Sequence, residues 1–324
     1  MNLSFNRVAG LSMKGGRRDN FFFCLLDHHE GSGRWFLKSI LHVKDEVRDE
    51  DVEDGDDILN QWIDKYNLKH VIIDFPLSKP PCHNCDLKCP GVAKCPVGDV
   101  KQVREDIASI LEMDRKMEEE NPKEYERRRN FEDLTHFDRD TFVKESNDFM
   151  LSKSFKRRLK KGFIPYWNRS LDFWIWCSYH DQLLELFNTT FDSFGNTSLM
   201  MLSRFSYMKR HFPEECQFYE GHVNLILLEL LKSRIVLKKN IVNLTDLDLG
   251  VEARLDIVKK IENKLGIFIY DNDLEVIVKN VRAFDSFLLA VCGLQKAKGQ
   301  ARSMPDWTLP HLTNFILPSF DPRA

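Results

Sequence analysis

Long apolar runs are missing from this chain, and so is a surplus of charge of either sign. The strongest apolar stretch, Val223 to Leu231, is broken by Asn224 and Glu229, so it is too short and too polar to cross a bilayer. The opening residues, Met1 to Arg7, lack the apolar core of a secretory leader. A cytoplasmic protein with no membrane attachment is expected. Lys+Arg 47 against Asp+Glu 50 leaves a formal charge of -3, so the molecule as a whole exerts no attraction on nucleic acid or membranes, and any polyanion site has to be local. Gly 15 and Pro 12 are too few for a collagen-like or low-complexity chain, and 43% apolar residues suffice for a core. A length of 324 residues predicts one large domain with an insertion, or two domains.

The pattern along the chain predicts an α/β core. Arg7 to Met13 and Phe21 to Asp27 are two apolar runs of strand length joined by Lys14, Gly15, Gly16 and Arg17, a hairpin with a glycine turn; Arg34 to Val43 makes a third strand. An amphipathic helix follows near Ile58, Trp62 and Tyr66, and His70 to Ile73 reads as a strand buried on both faces, closed by Pro76. Composition then shifts. Residues 80–162 carry clustered cysteines and a highly charged helical stretch, and are expected to be an insertion into a discontinuous core of 1–79 and 163–299, with 300–324 as a tail. A late apolar helix is expected from Phe284 to Leu294.

Of eight cysteines, Cys82, Cys85, Cys89 and Cys95 fall within one segment, spaced C-x2-C-x3-C-x5-C, and the other four lie singly in apolar surroundings. Four thiolates at this spacing suit a closed tetrahedral shell, with Zn²⁺ the first choice and an iron–sulfur cluster the alternative. A closed shell has no open position for a substrate, so its role is architectural.

Two acids stand out. Asp74 ends the buried strand, where an open α/β sheet presents side chains to a ligand, although an aspartate two residues before Pro76 also suits a plain turn. Asp285 lies in a helix apolar on nearly every face, where a buried carboxylate needs a metal, a cation or a proton, unless it simply caps the helix. The basic runs Arg127 to Arg129 and Lys153 to Lys161 are either phosphate-binding clusters or solvated helix faces balanced by Glu118 to Glu120. Tyr166, Trp167, Trp174 and Trp176 recur in a dense apolar region and are expected in the core.

Three strands, a helix, a fourth strand ending in an acid and a late acid-bearing helix form an RNase H-like pattern. Ala9 to Ser12, His70 to Pro76 and Arg282 to Gly293 resemble segments of a domain-of-unknown-function family of predicted nucleases with that fold, and more distantly Holliday-junction resolvases. The resemblance covers about half the chain. It implies an RNase H-like mixed sheet of three antiparallel and then parallel strands, and hydrolysis of nucleic-acid phosphodiesters by two Mg²⁺ or Mn²⁺ ions about 4 Å apart. Asp74 and Asp285 would be ligands, and Arg169 would face them. The chain departs from the pattern at Ser12, where the family carries an aspartate; Asp19 is the first candidate to replace it, with Glu215 or Glu220 behind. Two other functions stay open: a catalytically decayed module that binds nucleic acid or protein, and nucleotide binding through Lys14, Gly15, Gly16 and Arg17.

Overall fold

The computed structural model describes residues 3–13, 21–46, 55–129, 151–192, 196–308 and 314–320. The chain divides into two compact units, one of Met1–Leu77, Asn196–Ser303 and Leu312–Ala324, the other of Ser78–Gly195 and Met304–His311.

The first unit is α/β. Its opening part contains β1 (Arg7–Ser12), β2 (Phe22–His29), β3 (Arg34–His42), the short α1 (Val43–Glu46), α2 (Gly55–Lys65) and β4 (His70–Ile73). The second unit follows with α3 (Gly98–Glu120), α4 (Pro122–Arg129), α5 (Lys153–Lys161) and α6 (Ser170–Phe187). The chain then returns to the first unit with α7 (Asn196–Met208), β5 (Gln217–Glu220), α8 (Val223–Lys232), α9 (Lys238–Asn243), α10 (Gly250–Leu265), β6 (Ile267–Phe268), α11 (Asp271–Lys279) and α12 (Val281–Ala297).

The six strands form one mixed sheet in the order β5-β4-β1-β2-β3-β6. β1, β2 and β3 pair antiparallel, while β4 joins β1, β5 joins β4 and β6 joins β3 in parallel. The antiparallel hairpin expected from the apolar runs is there, with Arg7 opposite Asp27 and bonded to it at 2.8 Å. Its connecting residues Lys14, Gly15, Gly16 and Arg17 lie outside the described residues. β4 lies between two parallel neighbours, which explains why Val71, Ile72 and Ile73 are all apolar: both faces of an interior strand are covered.

Side-chain alternation divides the sheet's two faces. Ala9, Leu11, Phe23, Leu25, Val71 and Ile73 point into a core shared with Ile58, Leu59, Trp62 and Ile63 of α2 and Met201, Phe205 and Met208 of α7. Val8, Gly10 and Ser12 point the other way, toward α12, which lies against β1, β2 and β4. Gly10 permits this contact: a Cβ there would collide with the backbone at Ser286 and Ala290. Gly293 does the same from the helix side, against Val8 and Ile72.

The unit boundary differs from the expected one. The apolar stretch 163–195 goes with the insertion, not with the sheet, because α6 is buried nearly all round as the core of the second unit: Phe173, Trp174, Ile175 and Trp176 are closed off from solvent. The tail is divided too. Ser170 Oγ donates to the Thr308 carbonyl in the second unit, whereas Phe315 bridges to Glu220 and Ala301 to Pro318 in the first.

Gly10→Ala is expected to cost about 3 kcal/mol or more in urea denaturation, because the clash is with helix backbone, which cannot move aside as a side chain would. Gly33→Ala, at an exposed turn with φ 64, should cost only the strain of its left-handed backbone, about 1 kcal/mol. Equal losses would show that α12 sits off the sheet.

Candidate functional site

Asp74 follows β4 directly, at the carboxyl end of the strand and on the α12 side by alternation. It is held by the neighbouring strand. Ser12 Oγ donates to Oδ2 at 2.8 Å and the Met13 N–H donates to Oδ1 at 3.0 Å. Burial pushes the Asp74 carboxyl above the ordinary carboxylate range, while these two bonds and the charge of Arg282 pull it back down. Ser12 thus does for Asp74 what a paired acid could not: two adjacent carboxylates repel and need a cation between them, whereas a hydroxyl supplies its own proton. Arg282, on the first turn of α12, has a buried Nη1 with no hydrogen-bond partner among the described residues.

Asp285 has a different setting. Asn280 caps α12, its Oδ1 accepting from the Arg282 and Ala283 amides, so the helix begins before Phe284 and Asp285 is one turn inside it. The capping explanation for Asp285 is therefore corrected. Its charge supports that of Arg254 on α10, a buried guanidinium whose Nε donates to the Val278 carbonyl at 2.6 Å; burial pulls this arginine down and Asp285 pushes it back up. Asp285 is half-buried, not enclosed as expected for a helix apolar on nearly every face, and the cation its charge acts on is the protein's own Arg254.

The replacement acids fall in three places. Glu215 is exposed and paired with Lys69 at 2.8 Å, before the amino ends of β5 and β4, so it is at the wrong end of the sheet for Asp74. Glu220 ends β5 opposite Ile73, is only 3% exposed, and accepts the Leu77 N–H at 3.0 Å. Asp19 lies outside the described residues. Among the described residues, no group of three or more His, Cys, Asp or Glu side chains is placed to hold a metal ion. A two-ion centre asks for free anionic oxygens converging on one point. Each Asp74 oxygen accepts one donor and keeps a second lone pair, while the charge of Asp285 acts on Arg254, so among the described residues the two acids are not gathered on one point as such a centre requires.

No family model, curated protein or solved structure matches the chain. The resemblance carried by Ala9 to Ser12, His70 to Pro76 and Arg282 to Gly293 therefore stands on those residues alone.

The second unit has a surface of another kind. Ser152 caps α5 by accepting the Phe155 N–H, and Phe155 and Leu159 bury one side of the helix. Two of its cations turn inward: Lys156 pairs with Asp114 and with Glu118 at 3.2 Å, and Arg158 pairs with Asp192 and lies over the Trp176 ring at 4.0 Å. The other four, Lys153, Arg157, Lys160 and Lys161, are exposed along one stripe at helical spacing, with no ion pair among the described residues. Glu118 thus balances Lys156 but not the stripe, and Glu119 is taken by Arg115 at 2.6 Å. The side chains of Arg127 to Arg129 lie outside the described residues.

Past the helix, a turn at 165–167 lifts two aromatic rings into solvent. Tyr166 is 66% and Trp167 40% exposed, against the expectation of core residues, which Trp174 and Trp176 do meet. The sequence signal for this is Gly162 ending the basic helix and Pro165 three residues later, opening a turn that separates these two rings from the apolar run behind them. The Pro165 carbonyl accepts the Cys82 N–H at 3.0 Å, tying the turn to the cysteine segment. In that segment Cys82 and Cys95 are half-buried and Cys85 and Cys89 exposed; burial, then the charges of Cys85, Cys95 and Cys89, push the Cys82 thiol up. Arg169 is structural here: its amide bonds Asp172 and its Nη1 donates to Ser78 Oγ at 3.0 Å.

Two tests follow from the acids. Because the folded Asp74 carboxyl titrates above its unfolded value of about 3.9, the native state holds a proton that the unfolded state has lost between those values, and stability falls as pH rises through that window. Asp74→Asn cannot ionise, so its melting temperature relative to wild type should climb from about pH 4 upward; parallel profiles would show an unperturbed Asp74. Asp285→Ala removes the charge that supports the buried Arg254 and should cost about 1 kcal/mol in urea denaturation, part of it recovered in Arg254→Met/Asp285→Leu.

Proposed function

We propose that this protein binds single-stranded nucleic acid without cleaving it, on an RNase H-like scaffold whose metal-binding edge has been replaced by internal pairing. The observation that carries the proposal is the exposed stripe of Lys153, Arg157, Lys160 and Lys161, with Tyr166 and Trp167 in the turn just beyond it. Cations spaced along a helix follow a phosphate backbone, and exposed rings beside them stack on unpaired bases, a combination suited to single strands. A chain of net charge -3 needs such a local patch to attract a polyanion at all.

The RNase H-like description is supported by the strand order, in which three antiparallel strands are followed by β4 and β5 added in parallel beside β1, and by α12 lying across β1 with an acid in its second turn. Loss of catalysis is supported by Ser12, which bonds Asp74 where the pattern asks for a second acid. Divalent-metal hydrolysis keeps one observation in its favour, the half-buried Asp74 at the carboxyl edge of an interior strand.

Fluorescence anisotropy with labelled oligo(U) and oligo(dT) across a salt series tests the proposal. Neutralising the four stripe cations together should lower the salt slope by about 3, roughly 0.7 per lost phosphate contact. Tyr166→Ala and Trp167→Ala should each weaken binding by about 1–3 kcal/mol with the slope unchanged. Affinity and slope untouched by all of these variants would refute the binding surface. Cleavage in Mg²⁺ or Mn²⁺ that is lost in Asp74→Asn would replace the proposal with the nuclease.

A further inference from the structure

Residues 78–97 cross from β4 to α3 with almost nothing to hold them by packing. Every residue from His83 to Lys94 is exposed, Leu87 and Val92 included, and from Pro81 to Asp99 no side chain is buried; the nearest buried ones are Pro80 before the segment and Val100 after it. The segment nevertheless takes a definite course. Residues 81–84 form a turn in which the Cys85 N–H reaches the Cys82 carbonyl at 3.4 Å. Gly91, with φ 84, leads into a 3-10 turn, Val92–Lys94, and the Cys95 N–H closes on the Val92 carbonyl at 3.3 Å. Arg104 of α3 grips the far end, its Nη1 donating to the Val92 carbonyl at 3.0 Å and toward that of Cys95 at 3.4 Å. A chain of this length that buries so little apolar surface needs a different constraint to compensate its lost conformational entropy.

We propose that Cys82, Cys85, Cys89 and Cys95 bind one Zn²⁺ ion as four thiolates, and that this ion fixes the loop to which the Tyr166–Trp167 turn is tied. None of the four is engaged in a disulfide. The turn at 81–84 sets Cys82 and Cys85 on either side of one backbone hydrogen bond, and the 3-10 turn Val92–Lys94 leads directly into Cys95; the four thiols are not gathered into a shell in this structure, and their spacing and chemistry carry the proposal. Closing the shell means drawing the exposed Cys85 and Cys89 in to the half-buried Cys82 and Cys95, a movement that no apolar packing opposes. Binding releases four thiol protons and leaves a site of net charge two minus. Lys79, Lys88 and Lys94, all exposed, and the Arg104 guanidinium supply positive charge around it, with Asp86 the one acid inside the loop. The open surroundings favour zinc over an iron–sulfur cluster, whose sulfides are lost where solvent and oxidant enter freely. Through the Cys82 N–H bonded to the Pro165 carbonyl, the knuckle then determines where Tyr166 and Trp167 stand.

The test needs no nucleic acid, so it stands or falls separately from the proposed function. Full-length protein without a histidine tag, purified in the absence of chelator, should carry close to one zinc per chain by elemental analysis. Exchange with Co²⁺ should give the strong visible bands of a tetrahedral thiolate site. Cys89→Ser/Cys95→Ser should lose both signals and Cys216→Ala, buried elsewhere, should keep them. Should the double variant fail to fold, alkylation of the wild type read by mass spectrometry serves instead: the four knuckle thiols should be protected until zinc is chelated and then react. Folded protein that neither contains nor takes up zinc, iron with acid-labile sulfide in its place, zinc retained by the double variant, or labelling indifferent to chelation would each overturn the proposal.

Discussion

Backbone meets backbone where α12 crosses β1. Gly10 on the strand and Gly293 on the helix remove the side chains that would otherwise hold the two apart, and the rest of the first unit is arranged around the resulting close approach. With α12 at that distance, its first turn reaches the carboxyl edge of the sheet, so that Arg282 acts on Asp74, while its next turn directs Asp285 to Arg254 on α10. The same helix thus brings one cation to one acid and one acid to another cation. Each of the two carboxylates singled out as a possible ion ligand is met by protein groups before any ion is considered.

The serine at the end of β1 gives this arrangement its character. Its hydroxyl and the following amide both donate to Asp74 from the adjacent strand, so that an acid at the edge of an interior strand is stabilised by hydrogen bonds. Burial works in the opposite direction, raising the proton affinity of Asp74, and the site is a balance between the two. In the second unit the balance falls differently. Lys156 and Arg158 are spent on Asp114, Glu118 and Asp192, which anchors α5 and leaves its outer cations to the solvent.

Much of the sheet was legible because strands write themselves into sequence at short range. The apolar runs of β1, β2 and β4, and the placing of Asp74 at a strand end, follow from local alternation and from a run closed by Pro76. What failed was non-local. Apolar density at Phe163 to Phe187 reports burial but not whose core receives it, and it belongs to the second unit. The charge that Asp285 acts on, Arg254, lies on a different helix, which local pattern does not reveal, and the cap of α12 is Asn280, five residues before Asp285. Tyr166 and Trp167 were expected among buried neighbours, but a single turn at Pro165 reverses their side of the surface.

The paired glycines of the α12 crossing also limit how this chain can drift. A side chain gained at Gly10 pushes the helix outward, and one gained at Gly293 pushes the strand outward, so neither change prepares the way for the other. Ordinary cores wander through sequence space by trading a larger residue here for a smaller one across the gap. At Gly293 such a trade exists, since a side chain there would meet those of Val8 and Ile72, but at Gly10 the obstacle is the helix backbone at Ser286 and Ala290, which no substitution can trim, so this one crossing fixes the spacing of the two layers.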